Sequence, residues 1–440
     1  MKSIWSDETS FVEFPALHGD ISTDVLVIGG GIAGILCAYL FHEAGVKCVL
    51  AEANTICSGI TKNTTAKITA QHGLIYYKLL RKFGVERSQM YLQANDQAIK
   101  EYARLSRGIS CAFEEKSAYV YLRNKERKLE LEMEALEKIG YGASFADKLP
   151  LPFPVAGAIE FPRQAQFQPL EFLKALSKQL CIYEKTRVQE LRGMEAITDG
   201  GRITAKAIIV ATHFPFLNKH GSYFLKLYQQ RSYVLGLRNA PDVRGMYIEG
   251  VENGLSFRNY REFLLLGGGG HRTGKQGGGW KELEQLAAEY YPGAEIEYRW
   301  ATQDCMSLDS MPYVGQYSAN TPGLYVASGY NKWGMTGAMV SAMVLRDRLL
   351  GRENAYSALF SPSRTILHPQ LVLNGFEATK NLLTFTEKRC PHLGCALKWN
   401  PQERSWDCPC HGSRFTQEGK LIDNPATGDL KINHGDEKVP

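Results

Sequence analysis

The sequence predicts an α/β protein in two parts, a large body and a small, turn-rich carboxyl-terminal domain of different character. Three observations predict it. Residues 23–52 read as strand, tight glycine turn, helix and strand, the βαβ unit of a parallel sheet. At 440 residues the chain exceeds what one core accommodates, so two or three domains are expected. Four of the ten cysteines fall between Cys390 and Cys410, interleaved with histidines, whereas Cys37, Cys48, Cys57, Cys111, Cys181 and Cys305 are scattered singly.

Composition narrows the class. A hydrophobic share of 44% and a charged share of 22% are ordinary for a globular protein. The 51 Lys and Arg against 46 Asp and Glu leave a net charge of +5 without a basic run, which speaks against nucleic acid as a partner. No window approaches the roughly 18 apolar residues of a membrane span. Positions 1–20 carry Asp7, Glu8 and Glu13 and lack the basic start and apolar stretch of a signal peptide. A cytoplasmic location is therefore expected.

Residues 25–28 (VLVI) form the first strand, 29–34 the turn and 35–44 a helix that Gly45 ends. Residues 46–51 form the second strand. Residues 84–107 and 124–139 read as amphipathic helices, with a strand over 117–122 between them. Pro150, Pro152 and Pro154 punctuate a loop, and 206–211 (KAIIVA) is a buried strand. The glycine clusters at 267–270 and 277–279 read as turns. A late strand at 324–327 and a helix at 337–350 precede a linker over 352–368. The remainder is short, turn-rich and strand-like.

Gly29-Gly30-Gly31-Ile32-Ala33-Gly34 matches G-x-G-x-x-G directly after a strand and opening a helix. Gly29 permits the tight turn, Gly31 lets the backbone approach a pyrophosphate, and Gly34 lets helix and strand pack closely. Phosphates would sit at the positive end of that helix. Glu52 ends the second strand, where a carboxylate accepts from ribose hydroxyls and repels a 2′-phosphate, which argues against NADP. A glycine-rich turn alone is a weak signal; strand, helix and Glu52 in register make it a dinucleotide site. The unit does not choose between FAD and NAD.

The carboxyl-terminal cluster reads Cys390-Pro391-His392, fifteen residues, then Cys408-Pro409-Cys410-His411. Each loop gives one Cys and one His. A [2Fe–2S] centre with two thiolates on one iron and two imidazoles on the other needs that inventory. A structural zinc site is the bland alternative, but C-x-H is not finger spacing, and Cys395 and Cys410 would go unexplained.

Two resemblances follow from these motifs. The first 360 or so residues resemble the D-amino acid oxidase family of FAD-dependent oxidoreductases. Besides the turn, the likeness rests on residues 57–65 (CSGITKNTT), 208–212 (IIVAT), 323–329 (GLYVASG) and 334–337 (GMTG), and on Asp309, Pro312 and Gly315. It implies FAD, with contacts from Gly29, Gly31, Gly34, Glu52, Ser58, Thr61, Thr65, Ala211, Gly329, Gly334 and Thr336. The carboxyl-terminal loops resemble the Rieske family. That likeness implies Cys390 and Cys408 on one iron, His392 and His411 on the other, and a disulfide between Cys395 and Cys410. It also implies a hydroxyl from Ser413 to a cluster sulfur. Phe415 stands where high-potential members carry Tyr, which implies a mid-to-low potential within about −150 to +300 mV.

The implied architecture is a Rossmann-like FAD-binding domain with an interrupting antiparallel substrate subdomain, followed by a small all-β Rieske domain. The oxidoreductase part spans 1–360, with FAD-binding stretches at about 20–80, 150–215 and 300–352 and substrate-subdomain stretches at about 81–149 and 216–299. The Rieske part spans 369–440 on a supporting sheet expected to be reduced. The implied reaction oxidises the C–N bond of an amine or amino acid, passing electrons singly from flavin to cluster and on to a soluble carrier. The alternatives are a reductase fed through the cluster and a non-enzymatic redox module. Arg231 and Arg258 are candidates for a substrate carboxylate, or are surface residues. Tyr330, Lys332 and Trp333 are candidates for the pocket wall. No catalytic base is identified. His72, His213 and His271 read as structural, and Cys305 does not match a covalent flavin link.

Overall fold

Val25, Leu26, Val27 and Ile28 are consecutive rather than alternate apolar residues, and all four are buried. Such a strand belongs inside a parallel sheet covered on both faces. In the structure, a computed structural model that describes residues 2–386 and 388–431, it does. Strand Ile21–Ile28 pairs in parallel with Arg202–Val210 on one side and Cys48–Ala51 on the other. This is the middle of an eight-stranded sheet, in which Leu324–Ser328 lies beyond Arg202–Val210. Helices Ile32–Glu43 and Gly334–Leu349 pack together in the core that covers this sheet.

The second sheet has nine strands and is antiparallel except where Met246–Glu249 runs parallel to Glu114–Leu122. Its long strands Leu227–Arg238, Phe263–Arg272 and Glu295–Ser307 lie side by side. It also recruits Gly157–Gln166 and Lys67–Ile68, so it reaches back to the end of the 57–65 stretch. The glycine cluster 267–270 is not a turn: it lies inside strand Phe263–Arg272. The reason is close packing. A Cβ at Gly268 would lie 2.8 Å from Leu255, and one at Gly270 would lie 2.8 Å from Asn253 Oδ1. Gly279 of the second cluster opens helix Gly279–Tyr290. The helix expected from 84 begins earlier, as Tyr76–Leu105, and breaks at Gly84, whose φ is 78°.

The carboxyl-terminal sheet is small, four antiparallel strands of three residues each from Lys398–Asn400 to Leu421–Asp423. Before it stands a helix that the strand-like reading missed, Pro369–Leu383. Its polarity is reversed. Asn374 and Asn381 are buried, while Val372, Leu373, Phe376 and Leu383 face outward. Asn374 accepts from Arg272 at 3.0 Å, and the Asn381 carbonyl accepts from Ala396 N–H at 3.0 Å. Positions 432–440 of the expected cluster domain lie outside the described residues.

Candidate active site and cluster-binding loops

One large cavity, about 1260 Å³, opens between the two large sheets and the carboxyl-terminal domain. The turn forms part of its wall as the sequence required. Gly29 has φ 110°, and a Cβ there would sit 2.7 Å from the Ala211 carbonyl oxygen. A Cβ at Gly34 would collide with the Gly29 carbonyl, so that glycine serves helix–strand packing and does not line the cavity. Helix Ile32–Glu43 starts on Gly31, which has no side chain to cap it, so the first-turn N–H groups that Thr61 does not take are suited to phosphate. Thr61 Oγ1 accepts from Ile32 N–H at 3.0 Å. Glu52 accepts from Gly30 N–H at 2.6 Å and Asn54 N–H at 2.8 Å; burial nevertheless raises its pKa.

Ser58, Thr61, Thr65, Ala211, Tyr330, Lys332, Trp333 and Gly334 line the same cavity. Gly329 and Thr336 do not. Gly329, at φ 77°, packs by Leu227, and Thr336 bonds His72 Nε2 at 3.1 Å from beneath the wall.

Two predicted substrate residues are placed elsewhere. Arg231 is buried in an ion pair with Glu403 of the carboxyl-terminal domain, and Arg258 is buried against Trp5, donating to the Ala66 carbonyl at 2.7 Å. Neither lines the cavity, so neither meets a substrate carboxylate there. The cations on the wall include lysines instead. Lys332 is one; Lys67, which sequence reasoning passed over, is another. Burial, with Arg258 nearby, lowers Lys67 to about 7. Asp304 shares the wall, its carboxyl raised by burial. His72 lies between Tyr91 OH at 2.6 Å and the Thr69 carbonyl at 2.7 Å, and stacks on Trp333. Burial holds it neutral, with a pKa near 3.

The cluster-binding loops converge. The Cys395, Cys408 and Cys410 sulfurs lie within 4.8 Å of one another, and Cys390 contacts Cys408 and Ser413 through its thiol. All four are free thiols, so the expected Cys395–Cys410 disulfide is not formed, although its partners are adjacent. The His392 and His411 rings stand 4.9 Å apart. Their Nδ1 atoms are both buried and have no hydrogen-bond partner among the described residues, which an imidazole tolerates when that nitrogen is reserved for a metal. Burial keeps both rings neutral, the ligating form, at about 4 for His392 and about 3 for His411. Two thiolates and two neutral imidazoles fit a [2Fe–2S] cluster. Ser413 Oγ also accepts from Ala426 N–H at 3.0 Å, fixing it beneath the loops.

These loops are docked on the body. Gln229 Nε2 donates to the His411 carbonyl at 2.8 Å and Gln303 Nε2 to the Gly412 carbonyl at 2.8 Å. Gln229 Oε1 meets His213 Nε2 at 3.0 Å, and His213 lines the cavity. Asn424 Nδ2 donates back to the Thr212 carbonyl at 2.5 Å and the Phe214 carbonyl at 2.8 Å. Glu403 accepts from Arg231, Arg414 and Tyr233 at once. Burial alone would raise its carboxyl, but the two guanidiniums win and hold it near 2. Leu421, Asp423, Asn424 and Gly428 of the small domain wall the cavity itself.

Comparison with known proteins agrees with both halves. Residues 24–348 match the FAD dependent oxidoreductase family, and residues 363–433 match the Rieske [2Fe-2S] domain. The putative Rieske 2Fe-2S iron-sulfur protein YhfW of Bacillus subtilis is 34% identical, covering 98% of this chain and 97% of its own. The chloroplastic cytochrome b6-f complex iron-sulfur subunit of Oryza sativa is 41% identical over 61 residues, 14% of this chain and 27% of its own. Among solved structures, glycine oxidase from Geobacillus kaustophilus shares the fold at TM-score 0.66 and 21% identity, over 78% of this chain and 99% of its own. L-proline dehydrogenase from P. horikoshii does so at TM-score 0.65 and 16% identity, over 80% of this chain and 98% of its own. No helix among the described residues is long and apolar enough to cross a membrane. The chain therefore belongs to the FAD-dependent oxidoreductase family and carries a Rieske [2Fe–2S] domain at its carboxyl end.

Proposed function

We propose that the chain oxidises the C–N bond of an amine or amino acid and passes the electrons one at a time to its Rieske cluster. The observation that carries this reading is the shared cavity, walled both by the nucleotide turn and by Leu421, Asp423, Asn424 and Gly428 of the cluster domain. Glycine oxidase and L-proline dehydrogenase among the fold neighbours support the substrate class. Bound FAD would supply a two-electron acceptor and the cluster a one-electron carrier, so each substrate would call for two single-electron transfers.

The chain's own residues bind and orient. Gly29, Gly31 and Glu52 would hold the nucleotide end, with Ser58, Thr61 and Thr65 along the same wall. Lys332 and Lys67 attract a substrate carboxylate, and Asp304 faces an amine. Loss of two electrons and two protons converts H–C–N–H to C=N, which water hydrolyses. Cys390, Cys408, His392 and His411 would hold the irons. Cys395 and Cys410 would close a disulfide over the loops by exchange with an external disulfide, which leaves as two thiols, and a soluble cytoplasmic one-electron carrier takes the electrons from the cluster.

The test is anaerobic mixing of the purified protein with an amine and amino-acid panel, following flavin absorbance and cluster EPR together. The expected result is flavin bleaching followed by the EPR signal of the reduced cluster. Cluster reduction by an external donor, then flavin reduction, with no response to amines, would reverse the direction. No turnover either way would reduce the protein to a redox module.

A further inference from the structure

We infer that Asn218, a residue of the flavin body, sets the reduction potential of the cluster by acting on the imidazole of His392. An imidazole that binds iron through one nitrogen keeps a proton on the other, and that N–H seeks an acceptor. Nδ1 of His392 is the buried nitrogen without a partner, and Nε2 lies 2.9 Å from Asn218 Oδ1. A carboxamide oxygen only accepts, so the bond runs from His392 N–H to Asn218. Both assignments agree: the buried nitrogen is free, and the nitrogen that meets the body carries the proton.

The bond has an electronic consequence. Drawing the Nε2 proton toward an oxygen makes the ring a stronger donor to its iron, which favours the oxidised cluster. The bond itself is exposed to water, so its effect is moderate. Phe214 stands edge-on to both imidazoles, 6.4 Å from His392 and 6.2 Å from His411, and Phe224 stands 6.3 Å from His411, packing that helps to fix the rings.

Asn218 belongs to the loop between strands Arg202–Val210 and Leu227–Arg238, 174 residues before His392. The cluster domain therefore does not set its own potential alone; the docked body contributes. Asn218 is the only side-chain acceptor on either imidazole ring among the described residues, since the ring of His411 faces the Phe224 backbone. It is a positioning residue, not a catalytic one.

The inference rests on the cluster reading but not on the amine substrate or the direction of electron flow, so its test uses mediators and dithionite in place of substrate. The full-length, FAD-loaded protein and its Asn218→Leu and Asn218→Asp variants are titrated anaerobically, with cluster EPR as the readout and iron and acid-labile sulfide measured for each. Asn218→Leu removes the acceptor. The expected result is a shift of about fivefold in the reduction equilibrium toward the reduced cluster, about 40 mV upward at roughly 59 mV per tenfold. Asn218→Asp replaces it with a stronger acceptor and is expected to shift the potential downward. Opposite signs distinguish tuning from disturbance, because a merely structural change moves both variants the same way. Equal potentials in all three proteins, or a shift of the same sign in both variants, would overturn the inference. Should Asn218→Leu not retain iron, Asn218→Asp decides alone: a lower potential supports the inference, and an unchanged or higher one overturns it.

Discussion

Replacing Glu403 by leucine should loosen the cluster domain more than any other single change at the junction. Among the described residues Glu403 is the one carboxylate that Arg231 meets in an ion pair, and Arg231 is 2% exposed. Removing the acid strands a buried guanidinium on the flavin body. Arg414 is spared, because it keeps Asp407 at 3.0 Å and Asp423 at 3.1 Å. Two routes give the size. Breaking a buried ion pair from one side costs about 3–5 kcal/mol. Independently, the Glu403 carboxyl falls from 4.5 to about 2 on folding. At 1.36 kcal/mol per unit that is about 3 kcal/mol. The sign follows from the depressed pKa: the contribution is complete above pH 4.5 and is lost as pH falls toward 2.

The assay is thermal unfolding at pH 7, with cluster visible circular dichroism and flavin fluorescence followed separately. A loss of about 3 kcal/mol should lower the cluster transition by more than about 10 °C. Arg231→Leu should cost less, since Glu403 retains Arg414 and Tyr233. The double variant Arg231→Leu/Glu403→Leu should be milder than Glu403→Leu alone, because no buried charge is left single. A Glu403→Leu protein within about 0.5 kcal/mol of wild type, or strict additivity in the double variant, would refute this reasoning.

Three further outcomes are expected. Gly34→Ala places a methyl on the Gly29 carbonyl and should weaken FAD retention at least tenfold, read as flavin absorbance surviving gel filtration. His411→Ala and Cys390→Ser should each bring iron and labile sulfide to background while bound flavin is unchanged. Lys67, with a pKa near 7, is charged below that value and neutral above it. Simple carboxylates should therefore perturb the flavin spectrum more strongly at pH 6 than at pH 8, and Lys67→Met should abolish the difference.

What was legible in the sequence was local. The Gly29–Gly34 turn and the two Cys–His loops each complete their chemistry within a few residues, and the structure brings each set together. Relations between distant residues were not legible. Arg231 looks like any arginine until Glu403, 172 residues later, closes on it. The glycines at 267–270 signal a turn by composition, yet their cause is tertiary: neighbouring strands and Asn253 leave no room for a Cβ. Helix Pro369–Leu383 escaped because its pattern is inverted, with asparagines answering partners inside and apolar side chains outside. Lys67 carried no motif; only its burial in the cavity wall makes it chemically notable.

The junction also bears on how electrons cross it. Opening the small domain would break the carboxamide bonds of Gln229, Gln303 and Asn424 and the Arg231–Glu403 pair. The four carboxamide bonds contribute about 4 kcal/mol at about 1 kcal/mol net each, and the ion pair adds little, because both of its charges regain water on opening. The open fraction is then on the order of 1 in 10³. A cluster that had to swing between flavin and partner would be throttled by that factor at every transfer. A docked cluster needs no such step, because His411 already hangs from Gln229, which touches His213 on the cavity wall. Electron arrival at the cluster should accordingly be indifferent to solvent viscosity when glycerol is added in rapid-mixing experiments. A rate falling in inverse proportion to viscosity would mean that the domain travels before it is reduced.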